Sequence, residues 1–224
     1  MRILCGGPVS EDASVFEAHI ASLKTQCLPL HYKGIDNSPV PLAKPEGFLS
    51  VEWRQEPSLG EYKQQHVRWD KPRFRLLSKL REEMRVAARD GGYDYLFMVD
   101  SDLILNPDTL GLLLESGKDF IAGMFWTQFR PGSRRVWVNV WDLDGKKQVP
   151  LSKGMAAQLH FGGVHQVDIT GACSLLSRRA IENLSYRART GIWSEDICMV
   201  MSALEAGIPL FVHAGTKIET RRRR

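Results

Sequence analysis

The apolar residues Leu96, Phe97, Met98 and Val99 run straight into Asp100-Ser101-Asp102, and this junction constrains the chain more than any other stretch. A short, uninterrupted apolar run reads as a strand buried on both faces, which requires a sheet covered by helices on each side. It stops abruptly, so two carboxylates are delivered at a strand end. Because side chains alternate along a strand, Asp100 and Asp102 lean to the same side and can share one cation, or one polyanion held by a cation. Asn106-Pro107-Asp108 then has the composition of a helix start: Asn106 as N-cap, Pro107 at the first helical position, Asp108 against the positive end of the dipole. The local plan is strand, acidic turn, helix.

Before this junction the chain alternates strands with helices. Residues 2–5 read as a first strand running into Gly6-Gly7-Pro8, where glycines permit a sharp turn and close approach of a ligand. It is neither the dinucleotide fingerprint, which needs a spaced third glycine, nor a P-loop, which needs Gly-Lys-Ser/Thr. A helix is expected over 14–26 and a second strand over 28–32, ending at Asp36-Asn37-Ser38. Residues 39–57 are rich in proline and read as irregular, with a short strand at 48–53. Lys71-Pro72 opens the strongest helix of the first half, with Phe74, Leu77, Leu80, Met84 and Ala88 on one stripe. Its Lys79, Arg81, Arg85 and Arg89 read as a solvated face balanced by Glu82 and Glu83, while Arg73 and Arg75 sit in the first turn, where a phosphate can be met.

After the junction the alternation breaks down. A strand over 119–125 leads to Trp126, and residues 136–149 read as a β-hairpin turning at Asp144-Gly145. Residues 153–164 read as a mobile loop. The strand after Val167 is interrupted by Gly171-Ala172-Cys173, a bulge or a close backbone approach by a ligand, and a short helix follows over 178–184. Ser194 is a good N-cap for a helix with the stripe Ile197, Val200, Met201 and Leu204, which ends at Gly207 and Pro209. Glu195 and Asp196 therefore lie in its first turn, either as dipole compensation or as chemistry. A last strand over 210–212 delivers His213 to its end, as the earlier strand delivers its two aspartates.

Length and charge narrow the function. At 224 residues the chain suits one α/β domain, and its net charge of +4 is matched by the tail Arg221 to Arg224 alone. The body is thus near neutral, which argues against a nucleic-acid partner, and the tail reads as a solvated terminus. Cys5, Cys27, Cys173 and Cys198 are scattered, with neither zinc-ribbon spacing nor a disulfide framework, so a reducing cytoplasm is expected. No run approaches the roughly 20 apolar residues that span a bilayer, and no leader pattern opens the chain, so neither secretion nor a transmembrane segment is expected.

Taken in order, the strand ending in Asp-x-Asp, the Glu-Asp pair opening an amphipathic helix and the His after the next strand resemble GT-A nucleotide-sugar glycosyltransferases, especially the family 2-like group. The resemblance runs from Arg2 to Lys217 and implies a Rossmann-like α/β fold: a mainly parallel sheet flanked by helices, with a smaller mixed sheet on the acceptor side. One catalytic domain would cover 1–217, with 1–117 as the nucleotide-binding half, 118–217 as the acceptor half and 218–224 as a basic tail. The metal ligands of Mn²⁺ or Mg²⁺ would be Asp100, Asp102 and His213, with Asp102 the more direct carboxylate and Asp100 nearer the ribose. Gly6, Gly7, Pro8, Val9 and Asp36 would line the nucleoside pocket of a UDP- or GDP-sugar, with Ser101 beside them, and Arg73 and Lys217 would touch phosphate or ribose. Asp196 would take the proton from the acceptor hydroxyl, supported by Glu195, if configuration is inverted. If it is retained, the two would orient the acceptor. Trp126, Trp141 and Trp193 suit sugar stacking and core packing equally. The acceptor would be a glycan, lipid or protein; since little follows His213, its binding part would be small or supplied by a partner. Two rivals stand beside this reading. A haloacid dehalogenase-type phosphatase would place the Asp-x-Asp at its first strand with Thr or Val after it. A nucleotide-sugar-binding protein would keep the metal site without transfer.

Overall fold

Among the described residues, 1–58, 71–127, 137–192 and 194–221, the computed structural model contains fifteen strands and six helices. The first half runs β1 (Ile3–Val9), α1 (Ala13–Lys24), β2 (His31–Asp36), β3 (Ser50–Gln55), α2 (Lys71–Asp90), β4 (Tyr95–Val99), β5 (Leu103–Leu105) and α3 (Thr109–Glu115). The second half begins with β6 (Phe120–Gly123), β7 (Trp126–Thr127), β8 (Trp137–Val138), β9 (Val140–Asp144), β10 (Lys147–Val149) and α4 (Lys153–Leu159). It continues with β11 (Val164–Val167), β12 (Ile169–Thr170), β13 (Cys173–Ser177), α5 (Arg178–Asn183), α6 (Glu195–Ala206), β14 (Leu210–His213) and β15 (Ile218–Thr220).

Eight strands form one sheet in the order β11-β14-β6-β13-β4-β1-β2-β3. β3, β2, β1 and β4 are mutually parallel, as are β6 and β14, the arrangement expected where strands alternate with helices. β13 runs antiparallel to both β4 and β6, and β11 antiparallel to β14, so the second half is mixed. The reversal has a direct effect on the site. It sets Cys173, at the start of β13, opposite Val99, at the end of β4, and carries the turn before β13 to the edge where Asp100 emerges.

β4 is buried on both faces, as its composition demands. Leu96 and Met98 enter one core with Phe74, Leu80 and Met84 of α2 and Ile197 and Val200 of α6. Phe97 and Val99 enter the other with Phe16, Ile20 and Leu23 of α1 and Leu110 and Leu113 of α3.

Several elements depart from the sequence expectation. β1 does not turn at Gly6 but continues to Val9, since β2 accompanies it as far as Asp36. Gly6 has φ +132°, and a Cβ there would lie 2.0 Å from the Lys33 carbonyl oxygen, so the glycine serves strand packing. Pro8 is tolerated inside β1 because the ladder to β4 stops at Gly6 and leaves that side without a donor requirement. The helix expected from Pro107 starts at Thr109, after the short strand β5 that pairs with β15. The loop expected over 153–164 contains α4, whose Ser152 hydroxyl accepts from Met155 N–H at 3.3 Å; Leu159 is its only buried residue, too little to make a stripe. Part of the hairpin expected over 136–149, at Val136, lies outside the described residues; Trp137–Val138 pair instead with β7, and only β9 and β10 pair with each other across Gly145.

The acidic junction is braced from below by His19 of α1. Its ring is 1% exposed, and its Nδ1 lies 2.8 Å from the Leu103 carbonyl oxygen. Burial pushes the imidazole pKa down from 6.5 to about 4, against a smaller upward pull from that carbonyl. Above the unfolded value both states are neutral, and the residue adds no pH dependence. As pH falls from there to the folded value, the unfolded chain takes a proton that the folded one refuses, and stability is lost by about 3 kcal/mol. In urea unfolding from pH 7 to pH 4, His19→Gln, which keeps a donor for Leu103, should lose stability less steeply than the wild type by about that amount. Parallel pH profiles would show that His19 is not buried neutral.

Candidate active site

Arg81 of α2 points from the helix towards the end of β4, and three carboxylates converge on it. Its Nη2 donates to Asp100 Oδ1 at 2.9 Å, and its Nη1 donates to Asp196 Oδ1 at 2.9 Å and lies 3.6 Å from Glu195 Oε1. The guanidinium is 6% exposed, while the Asp100 and Asp196 side chains keep about one third of their surface, 35% and 31%. Burial works against the charge on Arg81, but Asp100, Asp196 and Glu195 outweigh it and raise its pKa further. Glu195 is pushed well above the ordinary carboxylate range, by burial first, with Arg81 opposing and Asp196 adding to the rise. Buried Arg81 Nε has no hydrogen-bond partner among the described residues.

Local sequence explains how the acids arrive there. The Ser194 hydroxyl accepts from Ile197 N–H at 3.4 Å and starts α6, so Glu195 and Asp196 occupy its first turn; Gly207, at φ +62°, ends it. The approach to α6 is tied to α2 as well. Glu82 accepts from Tyr186 N–H at 2.9 Å and pairs with Arg85, which also donates to the Ile181 carbonyl. Arg81, Glu82 and Arg85 are all buried, which corrects their reading as a solvated face. The signal was present in the sequence: Phe74, Ser78, Arg81, Arg85 and Ala88 are spaced by four, three, four and three, a single helical stripe.

The structure distributes the other expected site residues unevenly. Ser101 and Asp102 continue from Asp100 in the acidic turn, where the Ser101 hydroxyl donates to Glu11 Oε1 at 3.4 Å. The Asp102 carbonyl accepts from Arg221 N–H at 2.7 Å, so β15 returns the chain to this turn. Lys217 instead sits beside Asn106, at the far end of β5, its carbonyl accepting from Asn106 N–H at 3.2 Å. Gly6, Gly7, Pro8 and Val9 lie along β1 next to β4, with Gly7 packed against the Val99 carbonyl. Asp36 is fully buried; it accepts from Ser38 N–H, Leu42 N–H and Gln55 Nε2 within 2.9 Å and so shapes the loop after β2 rather than presenting a free carboxylate. Arg73 lies in the first turn of α2. Trp126 is 44% exposed and stacks on His160, Trp141 stacks on Trp137, and Trp193 and the tail 222–224 lie outside the described residues.

Among the described residues no three His, Cys, Asp or Glu side chains form a ready metal cluster. Asp100 and Asp102 supply hard oxygen donors suited to a divalent cation whose remaining positions go to diphosphate and water. His213 sits at the end of β14 with its pKa lowered by burial, which favours the neutral ring, but its Nδ1 accepts from Gly215 N–H at 3.1 Å. That bond places the proton of a neutral ring on Nε2. Ligation through Nε2 would require the proton to change nitrogen and Gly215 to turn away. A cavity of about 570 Å³ lined by Asp94, Tyr95, Asp119 and Arg178 lies at the opposite end of β4, away from these groups.

Known proteins resemble this chain in sequence and in fold. The family model described as "Glycosyltransferase family 25, N-terminal domain" matches residues 44–218. A "Procollagen galactosyltransferase 1-A" of Xenopus laevis is 33% identical over 97 residues, 42% of this chain and 15% of that protein. A "Probable inactive glycosyltransferase 25 family member 3" of Bos taurus is 36% identical over 86 residues, 37% of this chain and 14% of its own length. A "Glycosyltransferase 25 family member" of Anopheles gambiae is 26% identical over 181 residues, 73% of this chain and 29% of its own length. The chain therefore matches only a small part of these relatives. Among solved structures, S. aureus TarS superposes with a TM-score of 0.51 at 13% identity, covering 95% of this chain and 35% of that one. A197 from STIV superposes with a TM-score of 0.50 at 12% identity, covering 100% and 96%. At these identities the structural matches speak for the fold alone.

Removing the guanidinium leaves three carboxylates facing one another. Arg81→Met should lower stability by about 2 kcal/mol, less than for a fully buried pair because Asp100 and Asp196 stay partly solvated. Urea denaturation checks this, and an unchanged midpoint would show that the cluster does not hold α2 against α6.

Proposed function

Because this chain belongs to glycosyltransferase family 25 through that family's N-terminal domain, we propose that it transfers a sugar from a UDP- or GDP-sugar to an acceptor hydroxyl, with Asp196 as the base. The observation that carries the reading is the ion pair of Arg81 with both Asp100 and Asp196, which places an acid of the acidic turn and an acid of the α6 first turn on one guanidinium. The donor lies along the edge formed by Gly6 to Val9 and the acidic turn. Asp100 and Asp102 would hold Mn²⁺ or Mg²⁺, which supplies charge neutralisation for the departing diphosphate; His213 would join them once Gly215 releases its Nδ1. Asp196 Oδ2, the oxygen not bound to Arg81, receives the proton as the hydroxyl oxygen attacks the anomeric carbon from the face opposite the diphosphate. The bond from that carbon to the diphosphate oxygen breaks, and configuration inverts. Glu195, deeper and harder to ionise, supports Asp196. Residues 1–117 would take the donor and 118–217 the acceptor, a glycan, lipid or protein; nucleic acid has no place in this scheme. Among the described residues no helix is long and apolar enough to cross a membrane. All four cysteines are free, as a reducing, cytoplasmic setting would keep them.

A second reading is favoured by the bovine relative named inactive: a domain that binds a nucleotide sugar without transferring it. One variant separates the two. Asp196→Asn should lower UDP release from the donor by about 100-fold or more, the range for a lost general base, while the affinity for UDP measured by calorimetry stays within about twofold. Full turnover in that variant sinks the base assignment, and no turnover in the wild type with any of UDP-galactose, UDP-N-acetylglucosamine or GDP-mannose favours the binding domain. Chelation with EDTA should abolish UDP release and Mn²⁺ should restore it, with Asp102→Asn requiring about tenfold more Mn²⁺ for half-maximal recovery. Turnover indifferent to EDTA would remove the metal from the scheme.

A further inference from the structure

The turn between β12 and β13 is strained and touches the backbone of Asp100 and the carboxylate of Asp196, two of the three acids that Arg81 joins. Ala172 has φ +68°, the single positive φ outside glycine among the described residues. Cys173 N–H donates to the Gly171 carbonyl at 2.9 Å, which closes a γ-turn around Ala172. An alanine at positive φ in such a turn costs about 1–3 kcal/mol, and the conformation persists only where its surroundings impose it. Here they do. The Ala172 carbonyl accepts from Asp100 N–H at 2.7 Å. Asn139 Nδ2 donates to the Gly171 carbonyl at 3.2 Å and to the Gly123 carbonyl at 2.9 Å, which staples the turn to the end of β6. On its other side, a Cβ built on Gly171 would lie 2.7 Å from Asp196 Oδ1 and 3.0 Å from Asp196 Cγ.

We propose that Gly171 and Ala172 are positioning residues, which fix the Asp196 carboxylate relative to Asp100 and so set the distance between the acceptor hydroxyl and the donor. The proposal rests on the reading of Asp196 as the base. Gly171 is bare so that the carboxylate can lie flat on the backbone with Oδ1 turned to Arg81. Held at positive φ by its surroundings, Ala172 has a smaller allowed range of φ and ψ than glycine would have there, so a glycine relieves the strain but leaves the Asp100 and Asp196 contacts freer to drift.

The test uses the full chain with Mn²⁺ and UDP-galactose, water as acceptor, free UDP as readout, and thermal unfolding alongside. Gly171→Ala should lower kcat by about 10- to 100-fold, the scale of a misplacement of about 1 Å, with the KM for UDP-galactose and the Kd for UDP within about twofold of wild type. Ala172→Gly, which the backbone accommodates without strain, should keep or raise Tm and still lower kcat about threefold or more, so the proposal remains testable should Gly171→Ala fail to fold. In an Asp196→Asn background Gly171→Ala should cost nothing further, because the carboxylate it displaces is gone. A full multiplicative loss in that background, or a loss carried by the donor KM with kcat retained, overturns the positioning role. Wild-type turnover in Asp196→Asn alone overturns the base assignment instead, and the two failures are told apart by that single variant.

Discussion

A guanidinium buried among three carboxylates is the interaction on which the rest of this edge depends. Arg81 reaches from α2 to Asp100 at the end of β4 and to Glu195 and Asp196 at the start of α6, elements that sequence separates by about a hundred residues. Were all three acids ionised, the cluster would carry two net negative charges in a site where burial amplifies repulsion. The elevated pKa of Glu195, the most buried of the acids, is how the structure lowers that charge. Satisfying Arg81 thus fixes two elements against each other, at the cost of one acid held back from ionisation. The Glu82–Arg85 pair one turn along does the same for residues 181–186, which lead into α6.

Topology decides which groups meet there. A parallel sheet presents all its strand ends on one edge, but the second half of this chain has to bring its chemistry to an edge built by the first. Reversing β13 accomplishes this: the strand starts where β4 ends, so the turn before it lies against Asp100, and Asn139 and Gly123 are drawn to the same place. β15 then returns antiparallel to β5 and brings Arg221 to Asp102. Asp100 and the turn before β13 share one edge because β13 is inverted.

The sequence made the strand ends legible and left the bonds between elements obscure. Leu96 to Val99 and the stripe after Ser194 are short-range patterns, with burial on two faces in one case and a capped 3.6-residue period in the other, so Asp100, Asp102, Glu195 and Asp196 could be placed on their elements directly. Arg81 carried a mixed signal, its spacing pointing inward and its charge outward. On a helix carrying seven basic residues among 71–90, charge suggested solvent, and only the partners in β4 and α6, contributed by distant sequence, turn a buried arginine from a penalty into an anchor. Asp36 erred in the opposite direction: a carboxylate at a strand end looked like a ligand group, but the following loop folds back and consumes it. α4 and β5 went unread because a helix with one buried residue and a strand of three residues carry too little periodicity to register.

The charge balance at this edge also bears on how a nucleotide sugar would approach it. Asp100, Asp102, Asp196 and Glu11 border the acidic turn, and Arg81 is already committed within the cluster. A diphosphate arriving unaccompanied would meet each ionised carboxylate at a cost of about 3 kcal/mol per charge pair at roughly 5 Å and an effective dielectric constant of about 20. Two or three such pairs exceed what the ribose and base contacts along β1 would return. An anion can therefore dock on these aspartates only with compensating positive charge between them, and a divalent cation on Asp100 and Asp102 reverses the sign of the interaction at that point. Basic residues near the turn could share the task, and β15 places the backbone of one of them, Arg221, at Asp102 itself. On the proposed reading, the acidic turn that looks least hospitable to a phosphate would be the feature that makes its binding conditional on a metal.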